Sequence, residues 1–154
     1  MSFLILAINP GSTSTKIALF KDEEVVFNES IGHFEETDQY ENILQQIPMR
    51  KKLVLDKLSE FGYKPEDLSV VMGRGGMLPP VETGGYRVND KMLQLILEEK
   101  IPPHASNLGA VLASEIAWAV GVEAYIYDAV SAAHFPPVAK ITGTKKITRA
   151  IPLP

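Results

Sequence analysis

Two apolar runs, Phe3–Ile8 and Ile17–Phe20, flank the polar stretch Asn9-Pro10-Gly11-Ser12-Thr13-Ser14-Thr15-Lys16. Apolar runs between turn residues read as strands, and an Asn-Pro-Gly reversal between them predicts a β-hairpin. A second reversal, Lys21-Asp22-Glu23-Glu24, leads into Val25-Val26-Phe27 and a third strand. The first reversal is not a P-loop, which needs a Gly, four residues, and then Gly-Lys-Ser/Thr opening a helix. It holds one Gly, an amide, several hydroxyls and an ammonium, the groups a phosphate needs when it leaves water. Alternate strand residues share a face, so Ser12, Ser14 and Lys16 can point together toward one ligand. The alternative reading is a plain turn with its Ser and Thr in solvent.

Ser30–Glu36 reads as a connection, and Thr37-Asp38-Gln39-Tyr40-Glu41 as a helix start with Asp38 as N-cap. Ile43, Leu44 and Ile47 continue that stripe until Pro48 interrupts it. A further helix over about Arg50–Phe61 turns Leu53, Leu55, Leu58 and Phe61 inward and ends at Gly62. Leu68–Met72 reads as a buried strand running into Gly73-Arg74-Gly75-Gly76, and Val81–Val88 as a hairpin about Gly84-Gly85. Asn89 or Asp90 caps a helix over Met92–Glu99. The helix over Ser106–Val120 carries Gly109, Ala110, Ala113 and Ala117, which allow close approach to a sheet. Ala124–Tyr127 is a strand ending at Asp128. This order predicts a mixed α/β domain with a five-stranded sheet flanked by helices.

At 154 residues with 45% hydrophobic content, one domain with a real core is expected. A net charge of −4 without a basic cluster argues against a nucleic-acid surface. No apolar run approaches the ~20 residues of a membrane span, so no membrane association is expected. The absence of cysteine and of a charged leader suits the cytoplasm.

Three residues outside the first turn carry candidate chemistry. Arg74 follows an apolar strand among glycines whose bare backbone allows a ligand close approach, and its fork matches a carboxylate or phosphate. The alternative is an exposed loop arginine. Asp128 ends a buried strand, where α/β sheets place ligand groups, and it can hold Mg²⁺ or merely cap the turn after it. His104, in Pro102-Pro103-His104-Ala105-Ser106-Asn107, precedes a helix N-terminus that favours anions, although a lone loop histidine is commonly incidental. His33 and His134 have weaker context, and Trp118, Tyr125 and Tyr127 read as packing residues.

In order along the chain, Ile5–Lys16, Gly73–Gly76, His104–Ala110 and Tyr125–Val130 resemble the acetate/butyrate kinase family of the actin-like ATPase (ribonuclease H-like) superfamily. The resemblance implies ATP-dependent phosphorylation of a short-chain carboxylate such as butyrate, with ATP and Mg²⁺ as cofactors. It places Asn9, Gly11, Ser12, Thr13, Ser14 and Lys16 in a first phosphate loop. It gives Arg74 the carboxylate or the transferring phosphoryl group, His104 orientation and charge stabilisation, and Asp128 with Asn9 the magnesium. Acetate, propionate or branched acids are alternative substrates, and a non-catalytic actin-like nucleotide-binding domain is an alternative class. Family members carry a second domain that binds the adenosine. Residues 1–140 are therefore expected to form an N-terminal domain, with 141–154 an atypical tail where the second would begin. Little turnover by this chain alone and a homo-oligomer through exposed apolar surface are also expected.

Overall fold

The computed structural model describes residues 2–33 and 39–132. Strands β1 (Leu4–Pro10), β2 (Ser14–Lys21) and β3 (Glu24–Gly32) form the opening antiparallel meander. A 3₁₀ turn, Ile43–Gln46, leads into helix α1 (Ile47–Glu60), and β4 (Val70–Arg74) returns parallel to β1. Then come β5 (Gly85–Arg87), α2 (Asp90–Leu97), α3 (Leu108–Ala119) and β6 (Glu123–Tyr127). The sheet order is β3-β2-β1-β4-β6-β5, with β4 and β6 parallel and β5 antiparallel at the edge.

The sheet thus has six strands, not five. The added one is the second arm of the expected Val81–Val88 hairpin, whose first arm forms no strand; Gly85–Arg87 pairs with β6 instead. β3 reaches Gly32 because its partner β2 offers backbone groups as far as Ser14, so the connection expected from Ser30 begins later. Asn42 caps the 3₁₀ turn by accepting from the Leu44 N–H; Asp38, the expected N-cap, and the tail 141–154 lie outside the described residues. Pro48 starts α1 rather than interrupting it, since the first helical turn needs no N–H from it. α1 buries Ile47, Arg50, Val54 and Leu58, while Phe61 stays partly exposed and stacks on Phe27 with ring centroids 4.3 Å apart.

Strand alternation sorts the sheet into two faces. Leu6, Ile8, Ile17, Leu19, Val71, Ala124 and Ile126 are buried on one, beneath α1 and α3. Small residues let α3 settle onto β4 and β6: a Cβ on Gly73 would collide with the Gly109 carbonyl, and one on Gly109 with the Arg74 carbonyl. On the opposite face Ala7, Ala18, Phe20 and Met72 are only half-buried, and Tyr127 is exposed. Among the described residues, no helix is long and apolar enough to cross a membrane.

Candidate active site

Because β1, β4 and β6 run parallel, their carboxyl ends share one edge of the sheet, the position where α/β folds place ligands. Asn9 lies near the end of β1, Arg74 ends β4, and Asp128 follows β6 directly. Lys16 on β2 pairs with Asn9, and Arg74 with Tyr127. All five residues line one hollow of about 560 Å³ on the sheet face opposite the helices, with Ala7, Ala18, Phe20 and Met72 beneath them. The result is an apolar floor with two cations, an amide and a carboxylate at its rim.

Arg74 Nη2 stands 3.7 Å from Asp128 Oδ2, and the two side chains are 45% and 65% exposed. A pair so open contributes little to stability, so either group can exchange its partner for a ligand. Asp128 adopts φ 54°, the left-handed region that Asp tolerates better than most residues. Lys16 has no carboxylate partner among the described residues.

The reversal 11–14 lies just beyond the hollow. Ser14 follows the Lys16 face as alternation predicts, but Ser12 and Thr13 precede β2, so strand periodicity does not orient them. Gly11, Ser12, Thr13 and Ser14 do not line the hollow. Behind them lies Arg50 of α1, fully buried. Its Nη2 donates to Gly11 O at 2.8 Å and to Ser12 O at 3.4 Å, and its Nη1 to Thr15 Oγ1 at 2.9 Å and to Ser14 O at 3.4 Å. Gln46 Oε1 accepts from both Nε (3.0 Å) and Nη2 (2.8 Å). Thr15 Oγ1 is also 3.0 Å from His33 Nε2, and the His33 N–H donates to Thr13 O. Burial lowers the Arg50 pKa from its ordinary value to about 10. Sequence reading missed Arg50, taking it only as a helix start; a lone cation between Met49 and two lysines gives no sign that it points inward.

The glycines around Arg74 have a packing role that the sequence reading did not include. The space a Cβ would fill is taken by the chain itself: Gly109 against Gly73, Ala129 Cα at 2.6 Å from a Cβ on Gly75, and Asn107 against Gly76. They serve packing on that side, and Gly73 also lines the hollow. Asn107 is buried; its Oδ1 accepts from the Met77 N–H and its Nδ2 donates to Pro102 O. His104 caps the turn Ala105–Asn107 and does not line the hollow. Its Nδ1 accepts from the Ser106 N–H at 3.2 Å, which leaves the proton of the neutral ring on Nε2. His134 lies outside the described residues. Trp118 and Tyr127 are 46% and 52% exposed rather than packed, and Tyr127 lines the hollow.

Among the described residues no cluster of three His, Cys, Asp or Glu could cage a metal. One carboxylate and one amide, Asp128 and Asn9, suit a hard cation that brings most of its own oxygen ligands, the usual habit of Mg²⁺.

No protein-family model matches the chain. It is 41% identical over 150 residues to butyrate kinase 2 of Clostridium acetobutylicum and 42% over 148 residues to butyrate kinase 1 of that organism. A probable butyrate kinase of Listeria innocua is 40% identical over 150 residues. These matches take in 96–97% of this chain but 42% of each relative, so the chain spans about two-fifths of their length. The acetate kinase of Porphyromonas gingivalis superposes with a TM-score of 0.50 at 15% identity, over 84% of this chain and 38% of that one. That of Entamoeba histolytica gives 0.51 at 14%, over 83% and 35%. The fold is therefore acetate kinase-like, and the chain is similar to butyrate kinases along nearly its whole length.

Proposed function

We propose that this homologue of the butyrate kinases is the phosphate- and acid-binding part of a kinase that phosphorylates a short-chain carboxylate such as butyrate. The observation that carries the reading is the shared hollow: Lys16 and Arg74 stand over an apolar floor of Ala7, Ala18, Phe20 and Met72. A carboxylate with a short alkyl tail and a phosphate chain are both anions, and this is a place where two anions can be brought together.

A carboxylate is already a nucleophile, so no strong base is required. Its oxygen attacks the terminal phosphorus of ATP in line; the new O–P bond forms as the bond to the bridging oxygen breaks, giving an acyl phosphate and ADP. Catalysis reduces to alignment and neutralisation of charge. Arg74 grips the acid or the phosphoryl group in flight, and Lys16 with the turn 11–14 receives the phosphates. Asp128 and Asn9 would hold Mg²⁺, which when bound neutralises phosphate oxygens. His104 supports the site through the Ala105–Asn107 turn, whose Asn107 braces the Arg74 loop. Residues 1–140 act as one domain of the enzyme in this reading.

The Arg74 and Asp128 side chains are largely exposed in these 154 residues, so water reaches this hollow freely, and closure is what protects phosphoryl transfer. The expected result is Mg-ATP binding without brisk turnover. Trapping acyl phosphate as the hydroxamate, with butyrate and Mg-ATP, tests both halves of that statement. Acyl phosphate from a protein carrying the remaining three-fifths of a relative, lost on Arg74→Ala, supports the kinase reading. Activity indifferent to Arg74 refutes it.

A further inference from the structure

We infer that Arg50 is a positioning residue for phosphate binding: from the buried face of the sheet it engages the carbonyls of the Gly11–Ser14 turn and leaves the Ser12 and Thr13 N–H groups as that turn's open donors. This rests on the proposed reading of the turn as a phosphate loop.

The carbonyls of the turn are all engaged. Those of Gly11, Ser12 and Ser14 accept from Arg50, and Thr13 O accepts from the His33 N–H. Ser14 O also accepts from the Gly11 N–H at 2.8 Å. In contrast, the Ser12 and Thr13 N–H groups find no acceptor among the described residues, and both residues are exposed. A peptide run with its oxygens turned to a cation and its amides open is the arrangement that binds anions. Arg50 reaches no carboxylate among the described residues; its partners are neutral oxygens of the turn, Thr15 and Gln46. Its positive charge is therefore undiminished behind the turn. Burying a cation without a counter-charge is costly for folding alone, which favours a role beyond holding the chain together. Lysine offers one compact ammonium and cannot span these acceptors as a guanidinium fork does.

The test is calorimetric titration of the full chain with Mg-ATP and with inorganic tripolyphosphate, alongside the Ser12 and Thr13 amide signals in ¹H–¹⁵N spectra. Arg50→Lys and Arg50→Met are expected to bind about tenfold more weakly or worse, the scale of losing aligned donors to an anion. Their two amide signals should shift even without ligand. Gln46→Ala keeps the charge but removes the acceptor that fixes its orientation, and a smaller loss in the same direction is expected. It decides the matter if the Arg50 variants do not fold. Folded Gln46→Ala, or folded Arg50 variants, binding as the parent does would reduce Arg50 to a structural role and overturn the inference alone. A parent chain that binds no better than Lys16→Ala would instead overturn the phosphate reading, and the inference with it.

Discussion

The Gly11–Ser14 turn is held in place by a buried guanidinium that reaches it through hydrogen bonds, whereas the Gly73–Gly76 loop is held by side chains it lacks. In the first, Arg50, Gln46, Thr15 and His33 form a polar mesh against backbone oxygens. In the second, α3 and the segments at Asn107 and Ala129 press directly on bare backbone. Both loops deliver a cation to one hollow. Steric contact fixes a backbone rigidly and tolerates no added atom, while hydrogen bonds can lengthen and reform. The Arg74 side should therefore behave as a wall and the Lys16 side as an adjustable lip.

Linkage sharpens the contrast. With its folded pKa lowered to about 10 by burial, Arg50 is more weakly protonated in the fold than in the unfolded chain between that value and its higher ordinary one. The unfolded state then binds more protons, so stability rises with pH across that window. Below pH 10 the buried charge carries its full desolvation cost. This mesh is not the cheapest way to stabilise a turn.

The largest effect is expected on the steric side. Gly73→Ala places a methyl into the Gly109 backbone, which no rotamer change can relieve. A loss of about 3 kcal/mol or more is expected, at or beyond the top of the usual overpacking range. Urea unfolding checks it, and a loss below 1 kcal/mol would show that α3 can slide. Next comes Arg74→Ala in a complete enzyme. Removing a donor to developing charge costs about 10²–10³ in turnover, while folding stability should change by less than about 0.5 kcal/mol because the side chain is exposed. On the polar side, Thr15→Val removes the buried oxygen shared by Arg50 and His33. A loss of about 1–3 kcal/mol is expected for donors left unsatisfied.

What the sequence disclosed follows the range of the interactions. The meander was legible because alternation and turn residues are local signals; so was α3, with its small residues. Motif order carried Asn9, Lys16, Arg74 and Asp128 to one edge, since parallel strands put their carboxyl ends together. Arg50 is invisible: apart from Gln46, its partners lie 35 to 39 residues away in the chain. The packing role of Gly73, Gly75 and Gly76 is not legible, because it depends on Gly109, Ala129 and Asn107, far along the chain. The sixth strand was misjudged for a similar reason, its partner β6 lying nearly forty residues downstream of Gly85.

The smallest expected effect separates two roles for His104. As a cap, its Nδ1 accepts the Ser106 N–H, and His104→Ala should cost about 1 kcal/mol of stability, the usual value of an N-cap. Asparagine can accept the same bond with its side-chain oxygen. If capping is all that His104 contributes, His104→Asn should recover both the melting temperature and acyl-phosphate formation in a complete enzyme. That is the expected result, because the ring does not line the hollow. Recovery of melting without recovery of turnover would mean that the Nε2–H meets the phosphoryl group once the cleft closes. The Arg74 wall would then have a second donor on its far side, and the asymmetry between the two loops would be smaller than the open structure suggests.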